Sequence, residues 1–124
     1  MTVAKIIVID DEVEICNILK SFFEPRGYIV KTETDPVKGL ELVKSERPDC
    51  VLLDIKMPKM NGMEVLPAIR SFDKNIEVII ISAFGTVENA MKSLSLDAFD
   101  CITKPFDLNI VGNVVRRCLE AKGK

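Results

Sequence analysis

The chain contains no histidine and no tryptophan, and Tyr28 is its one tyrosine. Without histidine there is no imidazole general base, no His-ligated zinc centre and no phosphohistidine carried by this chain itself. Aromatic residues make up only 6% of the 124, so the core must be aliphatic. No apolar run approaches the ~20 residues that a membrane span needs, and Met1 is not followed by a signal-peptide pattern; no membrane association is expected. Positive charge is not in excess either. With 17 Lys+Arg against 19 Asp+Glu the net charge is −2, which excludes a generally basic nucleic-acid binder, since phosphate affinity requires clustered positive charge. Cys16, Cys50, Cys101 and Cys118 lie far apart, with no C-x-x-C pair. Each falls in an apolar segment, where free cysteine packs as a small hydrophobe. A disulfide framework or zinc site is therefore not expected, and the expected compartment is a reducing cytoplasm. Low-complexity stretches, linkers and repeats are also missing. Hydrophobic residues reach 48%, enough for a core, so residues 1–124 are expected to form one domain.

What is present is an alternation of two patterns. Lys5–Ile9, Cys50–Leu53 and Glu77–Ile81 are short apolar runs rich in β-branched residues, and Tyr28–Thr32 and Cys101–Thr103 are weaker runs of the same kind. Continuous hydrophobicity predicts strands covered on both faces, as in a parallel sheet. Helix-period stretches lie between them. Ile15, Ile18, Leu19 and Phe22 form one stripe, with Gly27 placed to end it. Asp35 before Pro36 reads as an N-cap with proline at the first helical position. Val87, Ala90, Met91 and Leu94 form another stripe behind Thr86, and Val111, Val114, Val115 and Cys118 the last, behind Asp107. Pro67 inside 63–72 predicts a helix that starts late or bends. Strand starts near 5, 28, 49, 77 and 100 give five βα units. The fold class is therefore α/β, an open five-stranded parallel sheet with helices on both faces.

In such sheets ligands bind beyond the carboxyl ends of the strands. Asp10, Asp11 and Glu12 follow the first strand, Asp54 ends the third, Ser82 the fourth, and Thr103–Lys104–Pro105 the fifth. Three acids (Asp10, Asp11, Asp54) near one lysine leave a formal −2, which is unfavourable unless a cation enters or a pKa rises. A hard divalent ion suits such oxygen ligands, and Mg²⁺ prefers one or two carboxylates with retained waters. A flavodoxin-type nucleotide site is excluded, because it needs a phosphate cradle rich in Gly, Ser or Thr where this chain has acids.

Asp10–Asp11, the run LLDIKMPKMNGMEVL around Asp54, Ser82–Ala83 and Lys104–Pro105–Phe106 together resemble the receiver domain of bacterial two-component response regulators, the family of the chemotaxis regulators. The resemblance runs from Lys5 to about Ala121. It implies the doubly wound, flavodoxin-like (βα)5 fold with strand order 2-1-3-4-5. By position it makes Asp54 the acceptor of a phosphoryl group from a histidine kinase, a histidine phosphotransfer protein or a small phosphodonor, giving an aspartyl phosphate. It implies Mg²⁺ as cofactor, held by Asp10, Asp11, Asp54 and the backbone carbonyl of Lys56, with Asp11 the direct ligand and Asp10 acting partly through water. Lys104 is implied as the cation that pairs first with Asp54 and then with the phosphoryl oxygens, Ser82 as the hydroxyl that donates to the phosphoryl group, and the bond before Pro105 as cis. Such a domain helps to catalyse its own phosphorylation and hydrolysis. Phosphorylation exchanges the single charge of Asp54 for about −2, so an absolute metal requirement follows.

Simpler roles exist for the same residues. Asp10 and Asp11 could merely favour the first helix N-terminus, but Asp54 directly follows three apolar residues, an expensive place for an idle charge. Asn61–Gly62 reads as a turn beside Asp54. Two departures stand out. Receivers commonly carry Tyr or Phe three residues before the lysine, and here Cys101 stands there, so signalling is expected to rely on the loop after Ser82 and the helix over 87–94. A usual glycine is Asp97. Lys56 and Phe84, two residues beyond Asp54 and Ser82, are expected to govern water access and phosphate lifetime.

For partners, the resemblance implies a kinase docking on the polar side of the first helix (Glu14, Asn17, Lys20). It also implies a downstream output domain or target using the helix over 87–94, the fifth strand and the last helix. Leu108, Ile110 and Leu119 exceed one buried stripe, so that face is expected to expose apolar area and to allow a homodimer, with Asp97 and Asp100 facing Arg116 and Arg117. The chain is read as a stand-alone receiver or part of a longer regulator. The alternative reading is a receiver-shaped protein-binding module that works without phosphorylation. A hydrolase of the haloacid dehalogenase type is disfavoured, since it needs a second Asp where Lys56 stands.

Overall fold

The computed structural model describes residues 3–55, 62–83 and 98–122. The described elements are, in chain order, β1 (Lys5–Ile9), α1 (Val13–Phe23), β2 (Ile29–Glu33), α2 (Pro36–Glu46), β3 (Cys50–Asp54), α3 (Gly62–Phe72), β4 (Glu77–Ala83), β5 (Asp100–Lys104) and α4 (Leu108–Ala121). All strand pairs are parallel, in the order β2-β1-β3-β4-β5. The α/β doubly wound arrangement expected from the sequence is therefore present. The expected helix over 87–94, with Thr86, lies outside the described residues, as do Lys56, Asn61, Phe84 and Asp97.

Alternate residues of each central strand feed two separate cores, which is why the strands read as unbroken apolar runs. Ile6, Val8, Cys50, Leu52, Ile79 and Ile81 face α1 and α4, meeting Leu19, Phe23, Val111, Val115 and Cys118. Ile7, Ile9, Val51, Leu53, Val78 and Ile80 face α2 and α3, meeting Val43, Val65, Leu66 and Ile69. Gly39 lets α2 approach β1 closely: a Cβ there would stand 2.9 Å from three side-chain atoms of the fully buried Ile9.

Local signals set the element ends. Asp35 accepts a hydrogen bond from the Lys38 N–H at 3.0 Å, and Pro36 opens α2. Asp107 does the same for α4 through the Asn109 N–H at 2.8 Å. Gly27, at φ 94°, ends the 3-10 turn that follows α1, a conformation that glycine adopts without a Cβ penalty.

Three expectations shift. β2 begins at Ile29, because Tyr28 is taken up by the preceding turn: its N–H donates to Phe23 O at 3.4 Å and its ring packs edge-on against Phe23. The buried line of α1 is Cys16–Leu19–Phe23, leaving Ile18 exposed and Ile15 and Phe22 half-buried. α3 starts at Gly62, not late, and runs through the exposed Pro67. Pro67 is the sixth residue of α3, past the N–H groups that lack partners at a helix start, so it forfeits the bond that an N–H there would donate to the Met63 carbonyl.

Candidate functional site

Strand order reverses at β1, so the carboxyl ends of β1 and β3 lie side by side at the edge where doubly wound sheets hold ligands. Register decides what meets there. Ile9 pairs with Leu53, so Asp10 and Asp54 are the next residues along two adjacent strands. Asp54 pairs with Ile81, the residue before Ser82. Ser82 pairs with Thr103 and Ala83 with Lys104. Four stretches far apart in sequence thus deliver their polar side chains to one rim.

Asp10, Asp54 and Ser82 are the buried polar residues among those described, at 0%, 3% and 2% exposure. Lys104 Nζ lies 2.8 Å from Asp10 Oδ2 and 3.3 Å from Asp54 Oδ2. It also lies 3.2 Å from Glu12 Oε1, a contact the sequence reading missed. The signal was available: Glu12 is the third acid in the run after β1, and the backbone N–H of Glu12 donates to Asp10 Oδ1 at 2.9 Å, turning that run back on itself. Carboxylate oxygens of Asp10, Asp11 and Glu12 lie within 4.8 Å of one another.

Three carboxylates thus contact one ammonium group, and a fourth, Asp11, stands beside two of them. Burial raises the pKa of Asp10 above the usual carboxylate value, against the lowering effect of Lys104 and the Glu12 N–H. For Lys104, burial favours the neutral amine, but the contacts with Asp10, Asp54 and Glu12 outweigh it and push the pKa above the ordinary lysine value. Asp10 Oδ2 has a charge neighbour in Lys104 but no aligned hydrogen-bond donor among the described residues. A buried carboxylate oxygen without a directed donor, in an excess of negative charge and an all-oxygen donor set, fits a hard divalent cation. Behind this loop, the Cys16 thiol donates to Asp10 O at 3.4 Å, and burial pushes its pKa up to about 11, so it stays a donor at neutral pH.

A raised carboxyl pKa makes the ionised Asp10 a burden on the fold. Its contribution to stability falls as pH rises from the ordinary aspartate value through the raised folded one. Asp10→Asn keeps an acceptor for the Glu12 N–H and removes the charge. The variant is expected to melt at a higher temperature than the wild type at neutral pH, with the difference vanishing in acid. Calorimetry across pH checks this; a lower melting temperature at neutral pH would contradict it.

The other site residues fall as follows. Asp11 is exposed beside Asp10. The Lys104–Pro105 bond is cis. Ser82 Oγ lies 3.8 Å from Cys101 Sγ, a contact that sequence reasoning did not anticipate. All four cysteines are free. Glu14, Asn17 and Lys20 are exposed on α1. Expectations for the β5–α4 face need correction: Leu119 is in the core and Leu108 packs half-buried against it, so Ile110, 55% exposed, is the apolar residue this trio leaves in water. Asp100 meets Arg117 of its own chain at 3.8 Å, while Arg116 meets Asn113 and Glu120. No helix among the described residues is long and apolar enough to cross a membrane.

Comparison with known proteins gives the same picture. The chain is 36% identical over 118 residues to sporulation initiation phosphotransferase F of Bacillus subtilis, covering 95% of each. It is 34% identical over 116 residues to the regulatory protein AtoC of Escherichia coli, covering 94% of this chain but 25% of AtoC. A response regulator receiver domain protein of Clostridium thermocellum superposes with a TM-score of 0.93 at 31% identity, over 98% of each chain. Residues 6–116, from within β1 to within α4, match the model of the response regulator receiver domain, and the chain belongs to that family.

Proposed function

We propose that residues 1–124 form a single receiver unit that accepts a phosphoryl group on Asp54 in a Mg²⁺-dependent reaction, and that the resulting charge shifts an equilibrium read by a partner. The observation that carries this reading is the convergence of the buried Asp10 and Asp54 on Lys104, at 2.8 and 3.3 Å. Family membership supports it.

The step is a displacement at phosphorus. A carboxylate oxygen of Asp54 forms the new P–O bond as the P–N bond of a phosphohistidine, or of phosphoramidate, breaks, and the departing nitrogen keeps the electron pair and takes a proton from solvent. Mg²⁺, when bound, neutralises charge on the transferring group. Asp11 and Asp10 are the side chains to hold it, with Asp54 and the carbonyl of Lys56 as the further ligands proposed from the family resemblance. Lys104 holds Asp54 before the transfer and donates to the phosphoryl oxygens afterwards. Ser82 donates its hydroxyl proton to the same group. Asp10, fully buried, holds Lys104 from the β1 side and keeps the ammonium in place when Asp54 becomes esterified.

A sensor histidine kinase or histidine phosphotransfer protein supplies the phosphoryl group, docking over the exposed polar face of α1. An output domain, a separate target or a second copy of the chain reads the result at the β5–α4 face around Ile110. Four free thiols suit a cytoplasmic setting.

Incubation with phosphoramidate, with and without Mg²⁺, tests the reading by intact mass. The protein is expected to gain the mass of one phosphoryl group with the metal and none under chelation. Asp11→Ala is expected to slow the gain about hundredfold, the usual scale for losing one electrostatic stabiliser. Because Asp11 is exposed, its urea midpoint should barely move. Uptake that ignores both metal and Asp11 would overturn the mechanism.

A further inference from the structure

Cys101 stands on β5, three residues before Lys104. β4 and β5 pair Ile80 with Cys101 and Ser82 with Thr103. Ser82 and Cys101 are therefore diagonal neighbours on one face of adjacent strands, a separation that side chains can bridge. They do bridge it: Sγ and Oγ are 3.8 Å apart, within reach of a sulfur hydrogen bond. Ser82 is almost wholly buried, and Cys101 is half-buried against the α2–α3 core.

The direction of this hydrogen bond matters. A serine hydroxyl has one proton and two lone pairs. If that proton goes to sulfur, it is engaged when a phosphoryl oxygen needs it. If the thiol donates instead, the hydroxyl proton stays free. At this separation either atom can be the donor, and the thiol, whose pKa burial raises above the ordinary value, keeps an S–H to give.

We propose that Cys101 is a positioning residue: its S–H donates to Ser82 Oγ, occupying one lone pair and leaving the hydroxyl proton to be given to a phosphoryl oxygen on Asp54. The inference rests on the phosphoacceptor reading above. It assigns the thiol a part in the chemical step, which an apolar side chain of the same size could not play.

Single-turnover phosphorylation with Mg²⁺ and a range of phosphoramidate concentrations tests it, with folding of each variant checked by circular dichroism. Cys101→Ala is expected to lower the saturating rate constant about threefold, the scale of one neutral hydrogen bond, and to leave the half-saturating concentration unchanged. Cys101→Val, which keeps the bulk, should behave alike and covers the case in which the alanine variant folds poorly. Cys101→Ser, which restores a donor, should return to within about twofold of the wild type. In a Ser82→Ala background, Cys101→Ala should have no further effect, because the group it orients is gone. Unchanged rates in the alanine and valine variants, failure of serine to rescue, or the same slowing in the Ser82→Ala background would overturn the inference alone. A wild type that gains no phosphoryl mass would overturn the phosphoacceptor reading, and the inference with it.

Discussion

Asp54→Ala is expected to take up no phosphoryl group from phosphoramidate in the presence of Mg²⁺, even where Asp11→Ala retains a slow, measurable reaction. The two variants differ in kind. In the proposed mechanism Asp11 contributes charge and ligation, which lower a barrier, whereas Asp54 supplies the atom to which the new bond forms. The surrounding acids are poor substitutes. Asp10 is fully buried with its Oδ2 turned to Lys104, and Glu12 reaches Lys104 from the exposed side of the β1 loop. Intact mass over a long incubation checks the outcome. A gain equal to that of the wild type would remove Asp54 from the mechanism and favour a receiver-shaped module that binds partners without modification.

Lys104→Met is the substitution with the largest expected effect on stability. The lysine side chain is 12% exposed and contacts two carboxylates that are nearly or wholly out of water. Methionine fills the stem but leaves those carboxylates without their cation. Removing one partner of a buried charge cluster typically costs about 3 kcal/mol or more, because the charges left behind have lost water and counter-charge together. Proton uptake by Asp10, whose pKa is already raised, limits the loss. Urea unfolding without divalent ions should therefore show a drop of roughly 3 kcal/mol. Mg²⁺ should restore stability to the variant more than it adds to the wild type, since anything that binds only the folded state stabilises it by mass action. A variant as stable as the wild type in chelator would mean that Lys104 does not neutralise this cluster.

Much of this molecule could be read without coordinates. β1, β3 and β4 are legible because burial on both faces forces uninterrupted β-branched runs. Asp35–Pro36 is legible because helix capping has few chemical solutions, whereas Gly27, expected to end the first helix, ends the 3-10 turn that follows it. The acidic rim could be placed because parallel strands send their carboxyl ends to one edge, whatever their separation in sequence. Other features depended on geometry that a one-dimensional pattern does not carry. Ile18 fits the 3.6-residue period of α1, yet the helix turns Cys16, Leu19 and Phe23 to the sheet instead. α3 begins at Gly62, ahead of Pro67, a start that the apolar pattern alone does not mark. Leu119 and Ile110 look alike in sequence, but one is in the core and the other in water. The Ser82–Cys101 contact depends on the β4–β5 register and two rotamers, between residues nineteen positions apart. Glu12 was visible as a third consecutive acid, but its pairing with Lys104 follows from the turn that Asp10 Oδ1 makes with the Glu12 N–H.

The central claim is that one particular carboxylate, Asp54, becomes the phosphorylated group. An acyl phosphate is reduced by borohydride to the alcohol, whereas a free carboxylate is not, so reduction after phosphorylation leaves a permanent mark at the modified residue. Peptide mapping by mass spectrometry of protein treated with phosphoramidate, Mg²⁺ and then borohydride is predicted to find homoserine at position 54 alone, and none when Mg²⁺ is chelated. Reduction at position 10, 11 or 12, or a phosphorylated protein in which position 54 remains aspartate, would contradict the account.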